Sequence, residues 1–165
     1  MTAQFAEKLR YQGEDVAMLT TPLHDYFVMS GFYPRFESDS TALRRGYLGQ
    51  WEIVDGRLYL LELRGTLEDG TEASMDTVFP GFPERVFAHW YSGTIRIPQG
   101  RQLKYVHQGY GSTFEQDLLL KIERGVVKDT RVRHNGTASE EAPEGYQVAA
   151  MTVFPRAKKG NEEAE

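Results

Sequence analysis

Hydrophobic and polar positions alternate most clearly between Trp51 and Leu60, where Trp51, Ile53, Leu58 and Leu60 flank an Asp55-Gly56 pair. Asp-Gly between two runs of β-forming residues signals a two-residue hairpin, because a type I′ turn needs positive φ at both central positions. In that register Ile53 faces Leu58 and Trp51 faces Leu60, so the four side chains share the face that a sheet buries. Glu52 and Glu62 then fall on opposite faces. A second regular stretch begins at Phe114. Phe114, Gln116, Leu118, Leu120 and Ile122 alternate with Glu115, Asp117, Leu119, Lys121 and Glu123, the period of a half-buried antiparallel strand. On its polar face Glu115 and Asp117 are expected in solvent.

The remaining segments are shorter. EKLRYQGEDVAML predicts two strands around Gln12-Gly13-Glu14-Asp15. From Thr20 to Phe36 the chain is aromatic-rich, and Thr21 with Pro22 at the first helical position predicts one helical turn, which Gly31 and Pro34 keep from extending far. Pro80, Gly81 and Pro83 interrupt the next segment, and a short helix is expected over Glu84 to Tyr91. GTIRIP (93–98) and QLKYVHQ (102–108) read as two short strands joined as a hairpin through Pro98 to Arg101. After Arg124-Gly125 the chain reads as VVKDTRVRH, and a final strand is expected from Tyr146 to Phe154. The pattern predicts a mainly β protein, an antiparallel sandwich or half-barrel with one or two short helices, with an α+β sheet as the alternative. Residues 1–155 are expected to form a single β-rich domain and 156–165 a disordered polar tail.

A chain of 165 residues is large enough to bury a core without staples. It has no cysteine, which removes disulfides, thiolate metal sites and cysteine nucleophiles together. Nineteen basic against 24 acidic residues give a net charge of −5, which disfavours attachment to phosphate backbones, so nucleic acid is not expected as a partner. No apolar run reaches membrane-spanning length, and the N-terminus lacks a signal-peptide pattern. A cytoplasmic protein is expected. Arg44-Arg45, Arg131 with Arg133, and Lys158-Lys159 read as solvated surface charge.

His24, His89, His107 and His134 are too widely spaced for a local chelating pair, and no metal or cofactor is expected. No serine sits in a nucleophile elbow. The segment from His107 to Glu115 holds Gly109, Gly111, Ser112 and Thr113, yet a strand follows it where an anion-binding loop needs a helix. Aromatic residues make up 12% of the chain, more than chemistry-bearing motifs would lead one to notice, and several lie beside histidines. If the 93–108 hairpin forms, it brings His89, Trp90 and Tyr91 toward Tyr110 at one end of the sheet, with Arg96, His107 and Ser112 close by. Those seven residues are the candidate binding site.

The phrases RGYLGQWEIVDGRLYLLEL (45–63), FAHWYSGTIRIPQG (87–100) and YVHQGYGSTFEQDLLLKI (105–122) resemble a pattern carried by small bacterial proteins without an assigned function. The resemblance implies a bacterial or mobile-element origin and a single compact domain, and carries over no catalytic residue. Two function classes follow. The favoured one is a non-catalytic binding module, of the immunity, antitoxin or inhibitor kind, that occludes a protein partner. The alternative is a small-ligand binder or histidine-dependent enzyme with a pocket near His89, His107 and Tyr110, to which Trp51 would also contribute.

Overall fold

The computed structural model describes residues 3–38, 40–106 and 110–138. Its elements are β1 (Glu7–Tyr11), β2 (Glu14–Met18), α1 (Pro22–Ser30), β3 (Tyr47–Val54), β4 (Arg57–Thr66), β5 (Glu72–Ala73), α2 (Met75–Val78), β6 (Val86–Phe87), β7 (Gly93–Lys104), β8 (Thr113–Glu123) and β9 (Val126–His134). The protein is mainly β, as the alternation predicts. One sheet runs in the order β2-β1-β3-β4-β9-β8-β7, with β5 and β6 pairing to β4. The expected strand from Tyr146 to Phe154 and the polar tail lie outside the described residues.

Three two-residue turns set the framework. Gln12-Gly13, Asp55-Gly56 and Arg124-Gly125 all have positive φ at both positions, which matches the right-handed twist of the strands they join. At the central hairpin Ile53 pairs with Leu58 and Trp51 with Leu60, and Trp51, Leu58 and Leu60 are fully buried. Farther from the turn the register slips. Gln50 pairs with Glu62, so Leu61 is an extra residue, and this bulge reverses the alternation of β4. Leu63 is therefore buried opposite Gly49, and Glu62 comes out on the same face as Glu52, contrary to the opposite faces expected from an unbroken register. Glu62 is engaged by Arg64 Nε at 2.7 Å.

The sheet is mixed rather than wholly antiparallel, because β1 and β3 run parallel. The cause is topological. β2 returns the chain to the end of the sheet where β1 began, α1 and its following loop stay at that end, and β3 must then leave in the direction of β1. The helix is longer than one turn: nine residues close on Gly31, whose left-handed φ of 75° lets its N–H reach the Phe27 carbonyl. Thr21 makes no side-chain cap. The helix expected over 84–91 is absent, since Val86 and Phe87 pair instead with Leu60 and Tyr59.

A further correction concerns β7. Residues 93–104 form one long strand against β8, from Gly93 opposite Ile122 to Lys104 opposite Thr113, so no hairpin forms at Pro98 to Arg101. Gly100, at φ 81°, absorbs a register irregularity within the strand. The sheet curls until the Leu19 N–H, just past β2, donates to the Arg96 carbonyl of β7 at 2.8 Å, although no ladder closes it. Leu9, Met18, Trp51, Leu58, Leu60, Ile95, Ile97, Leu120 and Ile122 fill the inside of the curl, and Leu23 and Phe27 of α1 join this core. A smaller cluster of Ala6, Ala17, Leu19 and Phe114 packs with Tyr110.

Trp51→Ala is expected to cost about 3–5 kcal/mol, because a fully buried indole leaves a cavity that paired strands cannot collapse into. Urea denaturation measures it. A loss under about 1 kcal/mol would contradict the buried position.

Candidate functional site

Among the described residues two carboxylates, Glu7 and Asp117, are buried, and each is held by arginine. Glu7 lies on β1, and extending the parallel register from Lys8 opposite Gln50 places it beside Gly49. Gly49 leaves it room: a Cβ there would collide with Glu7 Oε1 and stand 2.7 Å from Trp51 Nε1. Oε1 accepts from Trp51 Nε1 at 2.8 Å, Oε2 accepts from Arg45 Nη2 at 2.7 Å and Nε at 3.1 Å, and the Gly49 N–H is shared between both oxygens at 3.0 Å. Arg45 Nη2 also donates to the Phe5 carbonyl at 3.0 Å, which accepts Tyr110 Oη at 2.9 Å. Arg45 is thus an interior ion-pair partner, not the solvated charge its Arg-Arg context predicts. Burial by itself would lower the Arg45 pKa, but the Glu7 charge and hydrogen bond override it and raise it. Above the guanidinium lies the ring of Tyr47. Burial first, and then the Glu7 charge, push the Tyr47 phenol well above its ordinary range, and its hydroxyl has no hydrogen-bond partner among the described residues.

The second carboxylate, Asp117, was expected in solvent and is 1% exposed. Arg96 Nε reaches Oδ1 at 2.9 Å, while Arg133 Nη2 and Asn135 Nδ2 reach Oδ2 at 2.6 and 3.1 Å. The register explains the convergence: Asp117 stands opposite Arg133 on β9 and opposite Pro98 on β7, two residues from Arg96 on the same face. Burial alone would raise the Asp117 pKa, and the hydrogen bonds from Arg96, Arg133 and Asn135 outweigh it to hold the carboxyl below the ordinary range.

These two networks account for several predicted site residues. Arg96 spends its other nitrogens on the Tyr110 and Ser112 carbonyls at 2.7 and 2.6 Å, strapping that turn to the sheet. Ser112 is buried, and its Oγ accepts from the Val106 N–H at 2.9 Å. His107 lies outside the described residues. The other three sit elsewhere: because β7 is a single strand, His89, Trp90 and Tyr91 precede its start, whereas Tyr110 follows its far end. They do not converge. Trp90 stacks on Phe79 and donates Nε1 to the Pro22 carbonyl at 2.9 Å, which fastens α1 to the sheet. Tyr91 is buried, its phenol pushed up to about 12 by burial with Asp25 adding to it. His89 is exposed, edge-on to Trp90.

No group of three or more histidines and carboxylates among the described residues is placed to hold a metal ion. A shallow trough of about 470 Å³ lies between the tips of two hairpins, lined by Arg10 to Gly13, Glu52 to Gly56 and Val127. Glu62 does not line it, so the two glutamates do not meet there.

The most distinctive exposed surface is apolar and surrounds the end of α1. Leu23 and Phe27 face the core, and the opposite side presents Val28 at 67% and Met29 at 58% exposure. Beyond Gly31, Phe32 and Tyr33 are about half exposed, and the Tyr33 ring folds back against Phe27 and His24. His24, Asp25, Ser30 and the Arg35–Glu68 ion pair edge the patch with polar groups. In the sequence this stretch is aromatic-rich, and composition alone does not separate its inner from its outer side. Helical numbering does so, because Val28 and Met29 fall off the stripe defined by Leu23 and Phe27. No helix among the described residues is long and apolar enough to cross a membrane.

No family model, curated protein or solved structure matches this chain.

Two outcomes test the networks. Arg45→Met strands the Glu7 carboxylate in the core and is expected to cost about 3–5 kcal/mol, while Tyr47→Phe removes a hydroxyl that bonds to none of the described residues and is expected to be neutral or stabilising. Equilibrium unfolding of both variants checks the contrast, and a Tyr47→Phe loss as large as that of Arg45→Met would reveal an unseen partner for the hydroxyl. Asp117 has a folded pKa below its unfolded value, so its contribution is complete above the unfolded value of about 3.9 and is lost as pH falls through the folded one. The stability gap between the wild type and Asp117→Asn should therefore close on acidification below about pH 4. A gap that is constant with pH would contradict the assignment.

Proposed function

We propose that this protein is a non-catalytic binding module that occludes a protein partner, in the manner of immunity, antitoxin or other inhibitor proteins. The apolar patch of Val28, Met29, Phe32 and Tyr33 carries the reading. Exposed aromatic and methionine side chains with a polar rim have the composition of a protein interface core. Among the described residues the inside of the curl is lined by packed apolar side chains, and the exposed apolar surface at the end of α1 lies outside it. Charge narrows the partner: a chain of net charge −5, with Asp25 on the patch rim, suits a partner that is apolar at its contact and basic around it. The alternative of a pocket joining His89 to Tyr110 loses its basis in the single long β7.

The test compares wild type with a Met29→Asp, Phe32→Ser double variant as bait in extracts of the cells that encode the protein. Any captured protein is then purified and titrated calorimetrically against both baits. The expected result is a one-to-one complex with the wild type and an affinity loss of about a hundredfold or more in the variant, whose circular dichroism is unchanged. Equal binding by the variant would overturn the role of the patch. A saturable melting-temperature shift from a metabolite, with no protein complex, would overturn the reading altogether.

A further inference from the structure

The open edge of β9 is a second feature with a chemical address. β9 pairs with β8 from Val126 to His134, but on its other side only Val126 meets β4, opposite Arg57, and the Val127 N–H reaches the Gly56 carbonyl. Beyond that point no neighbouring strand follows it among the described residues. Asn135 donates its N–H to the Glu115 carbonyl of β8 at 2.8 Å, so by the two-residue alternation of an antiparallel ladder Arg133 and Arg131 also face β8. Thr130, Val132 and His134 face outward. Consistent with this, the Thr130 N–H takes as acceptor the carboxylate of its own neighbour, Asp129, at 2.9 Å.

We propose that this edge accepts an extended acidic segment of a partner protein as an added strand, a surface made of different residues from the α1 patch. Three outward-facing residues offer alternating N–H and C=O groups, the requirement for β-strand addition. The side chains specify the rest. Lys128 and Arg131 against Asp129, with Arg133 already paired to Asp117, leave β9 basic on an acidic protein. Arg131 and Arg133 share one face, and on the other Val132 is 47% exposed beside half-buried Leu118. An incoming strand with acidic residues on one face and apolar residues on the other would meet both. A second copy of this chain suits the edge poorly, because antiparallel β9 edges would set lysine and arginine against lysine and arginine. The described residues that follow β9 lead away from it: the Ala138 N–H binds Glu115 Oε2, and Gly136 lies by Leu103 of β7, across β8 from the open edge.

The test uses the full-length protein and a fluorescein-labelled eight-residue peptide of alternating glutamate and valine, with a lysine–valine peptide as control. Fluorescence anisotropy is expected to give saturable binding of the acidic peptide only, weakened by added salt. Val132→Pro deletes one outward N–H without touching the β8 ladder and should weaken binding about tenfold or more. Arg131→Glu, a surface change that keeps the strand intact, should do the same through charge. Amide hydrogen exchange adds a direct readout, with the Thr130, Val132 and His134 amides slowed by the peptide and those of the α1 patch unaffected. Absence of saturation, equal binding of the lysine–valine peptide, or unchanged affinity in folded Arg131→Glu would overturn the proposal. So would a wild-type dimer that Val132→Pro converts to monomer, because a second copy would then hold the edge.

Discussion

The burial of the Glu7 carboxylate is the constraint on which the rest of the structure hangs. An ionised carboxylate away from water needs every lone pair answered. Here the donors come from three places on the chain: the Arg45 guanidinium, the Gly49 amide and the Trp51 indole. Satisfying them sets the parallel pairing of β1 on β3, requires glycine at 49 and orients the largest side chain of the core. An apolar residue at position 7 would bury as well and would select none of these. The ion pair therefore acts as a register pin for the parallel pairing of β1 on β3, which no tight turn specifies.

Asp117 plays the corresponding part on the other flank. It joins β7, β8 and β9 through Arg96, Arg133 and Asn135, and through Arg96 it fixes the turn that carries Tyr110 and Ser112. The two flanks meet at the Phe5 carbonyl, where Arg45 and Tyr110 both donate. Arg96, Tyr110 and Ser112, three of the seven residues read from the sequence as a binding site, belong to this scaffold. The exposed chemistry lies elsewhere, at the end of α1 and along β9.

The legible parts of the sequence were those ruled by local physics. Asp55-Gly56 declared its turn because few residues tolerate positive φ, and the face shared by Trp51, Leu58 and Leu60 followed. The alternation from Phe114 to Ile122 declared a strand. Long-range decisions were not legible. Nothing local distinguishes Asp117, whose neighbours are as polar as those of any solvent-facing strand residue, from a surface carboxylate, and nothing near Arg45 points to a glutamate 38 residues earlier. The Leu61 bulge defeated the face assignment of Glu62 because one inserted residue reverses a period of two. Pro98 and Gly100 suggested a turn that the strand instead absorbed as an irregularity beside β8, and the imagined convergence of His89 with Tyr110 depended on that turn. The α1 patch was visible only as composition until the helix gave it an inside and an outside.

The double use of the Phe5 carbonyl also bears on how the chain reaches this state. Its two donors lie 40 and 105 residues away in sequence, and the Leu19 amide finds its acceptor on Arg96. The three hairpins can form early, each from neighbours a few residues apart. The β1–β2 hairpin can form in this way but cannot dock, since the partners of β1 on β3 and the 110–112 turn must exist first. Loop-closure entropy of that kind makes assembly slow compared with helical proteins of the same size. During synthesis the first residues to emerge would be among the last to be fastened, leaving the β1 edge open to wrong pairings until the chain has passed Tyr110.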